Sequence, residues 1–325
     1  MLGRPNDKVH SGDHSNNLNT IAVTPTAYVT HVVITTVANY LCLRIWNVMM
    51  GCIHFGLFVA TLMSTNNILL QAPLYKITFG LNYTLDYEEA ANNLREEVAE
   101  KNLTMTDHFR LNVEEAGGLS IGILTVLFFG ITSFFHFGAA FFWHKHYNMF
   151  MSLKMNPIRW LEYAITAPMM WIILAQSFGF LDVASLALST TMIVVTMFSG
   201  FQTELISRPS LMSDEWVFSL YRRLSFMVPG AILFSSAVIV LIFTMLTTIK
   251  SELPSFVIPI VIVQFLLFDS FAGVLLWQQC SKPSRWIYGE YAFQLLSLFS
   301  KALLGLVLIF NVLIYEEYVC VFDDT

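Results

Sequence analysis

The sequence predicts an all-α membrane protein: one bundle of seven transmembrane helices, with a long outer loop between the first two. Three observations lead there. Apolar residues make up 56% of the chain and charged residues only 12%, a balance far from that of a soluble globular domain. Seven apolar runs are long enough to cross hydrocarbon, which takes about 20 helical residues. The Lys and Arg residues, finally, fall unevenly on the two sides of those runs. The 325 residues would suffice for two soluble domains, but seven helices and their connections use them up as one.

The runs lie near Ala38 to Ser64, Leu119 to Trp143, Pro157 to Phe178, Val183 to Ile206, Trp216 to Ile249, Pro254 to Gln279 and Trp286 to Tyr315. Residues 1–37 are expected to form a polar N-terminal tail. Its opening stretch lacks the apolar core of a secretory signal peptide. Residues 38–318 form the bundle and 319–325 a short outer tail. Segment 65–118, acidic and rich in aromatics, is expected to form an outer loop that folds as a small cap. It carries the sequons Asn82-Tyr83-Thr84 and Asn102-Leu103-Thr104, acceptors for glycosylation only on the outer side. Asn156 suits the cap of the third helix and Pro157 its first turn. Pro168 and Pro229 are expected to kink the third and fifth helices.

Orientation follows from sorting basic residues by loop. One side holds Arg4, Lys8, Arg44, Lys145, Lys154, Arg159, Arg208, Arg222, Arg223, Lys282 and Arg285; the other holds Lys76, Arg95, Lys101, Arg110 and Lys250. The richer side marks the cytoplasm, so the N-terminus is inside and the C-terminus outside. A net charge of −6 gives no basic patch for nucleic acid. Cys42, Cys52, Cys280 and Cys320 imply no disulfide framework and form no zinc spacing.

Lys301 is the sharpest chemical feature. In QLLSLFSKALLGLVLIF it is the only basic residue, too deep to snorkel to either surface. A cation there costs at least about 2.5–3.5 kcal/mol on insertion scales. Desolvation favours the neutral amine, the form that attacks an aldehyde to give an imine. Two other uses stay open: a pair with an acid that locks helices, or an ion pathway.

A protonated imine needs an anion, and Glu162 on the third helix is placed to supply it. Side chains of the seventh helix lean toward its cytoplasmic start, which brings Lys301 toward the level of Glu162. Arg159 lies three residues before Glu162 and offers it a competing partner. His54 and His136 can join a polar pocket beside Glu162, since histidine titrates near neutral pH; each also reads as a core histidine. Glu204 stands four residues before Arg208, the spacing of an ordinary helix salt bridge, or acts as a second proton-exchanging acid. Asp269, near the middle of the sixth helix, serves a proton path or bonds Ser270. Ser297, one turn before Lys301, can hydrogen-bond the imine. Trp171, Phe268 and Phe271 can line a slot for a long polyene, or simply pack.

Asn156-Pro157-Ile158-Arg159-Trp160-Leu161-Glu162-Tyr163 and Ser297-Leu298-Phe299-Ser300-Lys301 resemble the third-helix and retinal-attachment segments of the heliorhodopsin family, whose members are seven-helix rhodopsins of inverted orientation. The resemblance covers most of the bundle. It implies all-trans retinal held covalently by Lys301, with Glu162 as counterion. It also implies Ser297 as Schiff-base neighbour, and a cavity network drawing on His54, His136, Asn156, Arg159 and Tyr163. Glu204 matches a further family acid. A rhodopsin-like photoreceptor is then expected, not an enzyme, homodimeric in the plasma membrane, with a signalling partner the sequence does not name. Light-driven or light-gated proton transport is the alternative, and a metal-dependent membrane hydrolase is a third reading, disfavoured because no ligand motif is present. Two features depart from the family pattern: the long first outer loop, and Ala167 where a serine is expected.

Overall fold

The computed structural model describes residues 25–64, 71–81, 109–177, 179–248 and 257–308. Both sequons, Cys320 and the outer C-terminal tail lie outside the described residues. Seven long helices follow in order: α1 (Pro25–Ser64), α2 (Ile121–Phe137), α3 (Pro157–Ser177), α4 (Val183–Ile206), α5 (Met227–Thr248), α6 (Val257–Cys280) and α7 (Trp286–Leu308). Two strands, β1 (Gln71–Leu81) and β2 (Phe109–Ser120), separate α1 from α2. The chain divides into two units, residues 1–42 and 43–325. In the first, the described part is the opening of α1, which starts at Pro25, ahead of the run expected from Ala38. All that follows concerns the second unit.

Six of the seven helices are long and apolar enough to cross a membrane, and the chain is a multi-pass integral membrane protein. The exception by composition is α3, whose 21 residues are long enough but include Arg159, Glu162 and several hydroxyl and amide groups. More than half of α3 is buried, packed between α2 and α4. Its polar groups therefore face protein and one another, where they can be satisfied, and not lipid.

The fifth span differs from expectation at its start. Residues 216–226 are not part of α5: Trp216 bridges to Pro209 and donates its indole N–H to the Ser281 carbonyl at 2.7 Å. Pro229 consequently falls in the first turn of α5, where no intrahelical donor is lost, and it does not kink the helix. Pro168 does lie inside α3.

The expected cap is in part a hairpin. β1 and β2 pair antiparallel from Gln71–Ser120 to Leu81–Phe109, with a bulge after Leu74. Gly117, opposite Leu74, has φ +118°, which suits a residue without Cβ. The Tyr75 N–H donates to the Leu181 carbonyl at 2.9 Å, tying the hairpin to the α3–α4 turn.

Close helix approach is set by small residues, as expected where no hydrophobic gain drives helix association in lipid. A Cβ on Gly200 of α4 would stand 2.1 Å from the Trp160 ring of α3. Gly200→Ala should therefore cost about 1–3 kcal/mol of stability by overpacking, read as earlier thermal unfolding in detergent. If stability is unchanged, α4 does not pack this tightly on α3.

At the membrane surface, Asp214 accepts from the Ser284 N–H at 2.8 Å and from its hydroxyl at 2.7 Å. The Ser284 hydroxyl bond above all, with help from Lys282 and Lys154, holds the Asp214 carboxyl below its usual range. A depressed folded pKa gives stability that is present above the ordinary carboxylate value and lost as pH falls through the lowered one. Asp214→Asn should flatten the acid limb of a melting-temperature profile against pH. An unaltered limb would show the bond contributes nothing.

Candidate functional site

The site is built where α2, α3 and α7 meet. α7 carries Lys301 and α3 carries Glu162, only 2% and 5% exposed respectively. Lys301 Nζ is ion-paired with Glu162 Oε1 and donates to Thr132 Oγ1 of α2 at 2.7 Å. The Thr132 hydroxyl donates in turn to Glu162 Oε1 at 2.8 Å, and Thr166, one turn along α3, shares its one hydroxyl hydrogen between the Glu162 carbonyl at 3.0 Å and the same carboxylate oxygen at 3.1 Å. Two hydroxyls and one amine thus converge on a single carboxylate oxygen. Such charge-assisted bonds are what allow a buried ion pair to persist. The Tyr163 ring lies under the ammonium, 5.6 Å from ring centre to Nζ, and its hydroxyl donates to the Phe293 carbonyl at 3.0 Å.

Arg159 does not compete for Glu162. Its guanidinium pairs with Glu204 of α4 and Glu290 of α7, and it lies over the Phe293 ring at 3.9 Å. Glu204 accordingly does not pair with Arg208, which is exposed. Asn156 caps α3 as expected, its Oδ1 accepting from the Arg159 N–H at 3.1 Å, and it also reaches both acids.

The two histidines stack, with ring centres 5.4 Å apart. His54 Nδ1 bonds the Met50 carbonyl at 2.8 Å and His136 Nδ1 bonds Asn47 Oδ1 at 2.9 Å. Both partners accept, so each Nδ1 carries the hydrogen and each Nε2 is left as an acceptor. Ser297 is buried one turn before Lys301. Asp269 is exposed on α6, and the Ser270 hydroxyl bonds Leu266 instead, at 2.6 Å.

A cavity of about 170 Å³ extends from Lys301 between α3, α4, α5, α6 and α7. Trp160, Tyr163, Trp171, Phe234, Phe268 and Phe271 wall it, and Asp269 stands at its edge. Trp171, Phe268 and Phe271 are therefore brought to the cavity as the sequence suggested. Thr132, Thr166 and Glu290 were not singled out by sequence. A threonine in a membrane helix usually bonds its own backbone, and Glu290 stands too near a predicted helix start to look buried. Among the described residues no three His, Cys, Asp or Glu side chains are grouped as a metal would require.

The heliorhodopsin family model matches residues 43–313. This chain belongs to the heliorhodopsin family. Among solved structures, the heliorhodopsin chain is similar to a light-driven proton pump, LR (Mac), from Leptosphaeria maculans, at 12% identity and a TM-score of 0.47, over 81% of this chain and 95% of that one. A comparison with curated proteins gave no match.

Membership of a rhodopsin family implies a retinal chromophore in general, and the residues present fit one. The cavity is apolar and aromatic along its length, as a polyene requires. Its single amine, Lys301, lies at the wall with an anion already hydrogen-bonded in place. In the structure the Lys301 ammonium stands for the protonated nitrogen that an attached aldehyde would leave there.

Proposed function

We propose that this heliorhodopsin is a light-sensing photoreceptor that carries all-trans retinal covalently on Lys301, with Glu162 as counterion. The observation that carries this reading is the buried Lys301–Thr132–Glu162 cluster at the wall of an aromatic cavity. Bound retinal supplies the absorption of light and the isomerisation that follows. The chain does the rest. Glu162, held by Thr132 and Thr166, keeps the nitrogen at Lys301 protonated in the dark. Arg159, engaged by two other acids, leaves Glu162 its full negative charge. Trp171, Phe268 and Phe271 exclude water and fix the chromophore's path, and Ser297 and the two histidine Nε2 atoms offer polar company beside the proton. A change in the balance between Lys301 and Glu162 then moves a proton and shifts the packing of α2, α3 and α7.

The reading includes a cytoplasmic N-terminus, from the distribution of Lys and Arg, a plasma-membrane location and a homodimer. It assigns no enzymatic activity. Purified protein mixed with all-trans retinal should develop a visible absorption band that bleaches and recovers with light. A mixture that stays colourless would sink the proposal.

A second reading, light-driven or light-gated proton transport, is favoured by Asp269 at the cavity edge and Glu204 buried near the end of α4. Photocurrents under voltage clamp separate the two. A sensor gives no sustained current; a transporter gives one that responds to the proton gradient and falls in Asp269→Asn or Glu204→Gln.

A further inference from the structure

Where α3 begins, α4 ends and α7 begins, one guanidinium faces two carboxylates. Arg159 Nη2 pairs with Glu204 and Nη1 with Glu290, residues 1% and 0% exposed. The second oxygen of each acid goes to Asn156, whose backbone N–H reaches Glu204 at 3.0 Å and whose amide reaches Glu290 at 2.8 Å. The faces of the guanidinium are covered by Phe293 and by Trp160, 3.9 and 5.1 Å from its carbon. Among the described residues no other Lys or Arg pairs with either acid. Among the described residues the phenols of Tyr147 and Tyr163, neutral at ordinary pH, face the cluster, and His136 shares a cavity wall with Arg159. Burial, and then the Glu290 carboxylate, raise the Tyr147 phenol further.

One positive and two negative charges leave a net charge of minus one in a site closed to solvent. An unbalanced buried charge is resisted by its lost hydration, and two carboxylates that share a site escape by keeping a proton. The geometry points to a second proton-binding site in this protein: one proton held between Glu204 and Glu290 on Arg159, separate from the Lys301–Glu162 pair.

A further observation gives this site a neighbour to exchange with. A cavity of about 30 Å³ lies between the two clusters, lined by Asn156 and Arg159 of the one, by Glu162 of the other, and by His136, Gln294 and Ser297. That is room for roughly two waters. Gln294 Oε1 and Arg159 Nε, on residues that line it, are buried with no hydrogen-bond partner, and such groups are the ones ordered water satisfies. Arg159 and Asn156, which hold the two acids, therefore form one wall of this cavity and the counterion another.

Infrared spectroscopy of the full chain at neutral pH, unlabelled and with carboxyl-¹³C glutamate, tests this. Wild type should show a protonated-carboxyl stretch that shifts with the label and with D₂O. Glu204→Gln and Glu290→Gln should each abolish it, because one remaining acid then matches one arginine, while Glu162→Gln should leave it. Should a glutamine variant fail to fold, Glu290→Asp keeps the charge count and should keep a protonated carboxyl. No labelled band in wild type, a band that survives either glutamine variant, or its loss in Glu290→Asp would each overturn the proposal. The band does not depend on bound retinal, so its absence would be distinct from a failure of the photoreceptor reading.

Discussion

Lys301→Ala is expected to leave the protein colourless however much all-trans retinal is supplied, with the visible absorbance reduced to background. The argument is chemical before it is structural. An aldehyde is held as an imine only by an amine, and among the described residues Lys301 is the only one on the cavity wall. Absorption in the visible further needs the nitrogen to be protonated beside an anion, and without Lys301 that nitrogen is gone. The substitution also strands Glu162, leaving it with Thr132 and Thr166 alone. Removing one partner of a buried pair costs about 3–5 kcal/mol, so the variant should also melt earlier. Circular dichroism on the same sample separates lost colour from lost fold. A folded Lys301→Ala protein that keeps its visible band would place the attachment elsewhere.

Glu162→Gln is expected to shift the visible band to the red. In the dark the positive charge of the chromophore is concentrated at the nitrogen, and absorption spreads it along the polyene. An anion at the nitrogen therefore stabilises the ground state more than the excited state, and removing it narrows the gap. The scale is set by the charge pair, about 4 kcal/mol at 4 Å for an effective dielectric constant near 20. In protein without retinal the same change leaves the Lys301 cation unbalanced, at a cost again of about 3–5 kcal/mol. Spectra of both proteins, followed through pH, check the first expectation, and melting curves without retinal check the second. An unchanged spectrum would assign the counterion to another residue.

Much of this arrangement is legible in the sequence because the membrane makes polar residues conspicuous. One lysine in an apolar helix announces itself, and Glu162 on the third helix stands at a level that it can reach. Spans bounded by strong signals come out at their expected ends: α4 runs from Val183 to Ile206, and α3 starts at Pro157 behind its Asn156 cap. The start of α5 is misplaced because the apolar residues from Trp216 onward mimic a span, while tertiary bonds from Trp216 and Arg223 hold them outside it. Partner choice is the larger gap. Helical spacing offers Glu204 to Arg208 and Arg159 to Glu162, yet the fold joins Arg159 to Glu204 and to Glu290, 45 and 131 residues away. Local periodicity ranks neighbours on one helix and cannot rank contacts between helices. Thr132 belongs to the same class, since its role exists only once α2, α3 and α7 are side by side.

The hydroxyl of Thr132 has a single proton, and its two partners decide where it points. It accepts from Lys301 and donates to Glu162, so the three groups form a chain with a polarity. Because Lys301 and Glu162 also touch directly, a proton that passes between them leaves Thr132 two directions for its hydroxyl, toward the acid or toward the nitrogen. Both directions are self-consistent, and a hydroxyl turned away from both partners would leave a buried group unmatched at about 1–3 kcal/mol. The residue that sequence overlooked thus brings the site a hydroxyl with two available directions, and the charges on its two neighbours select between them.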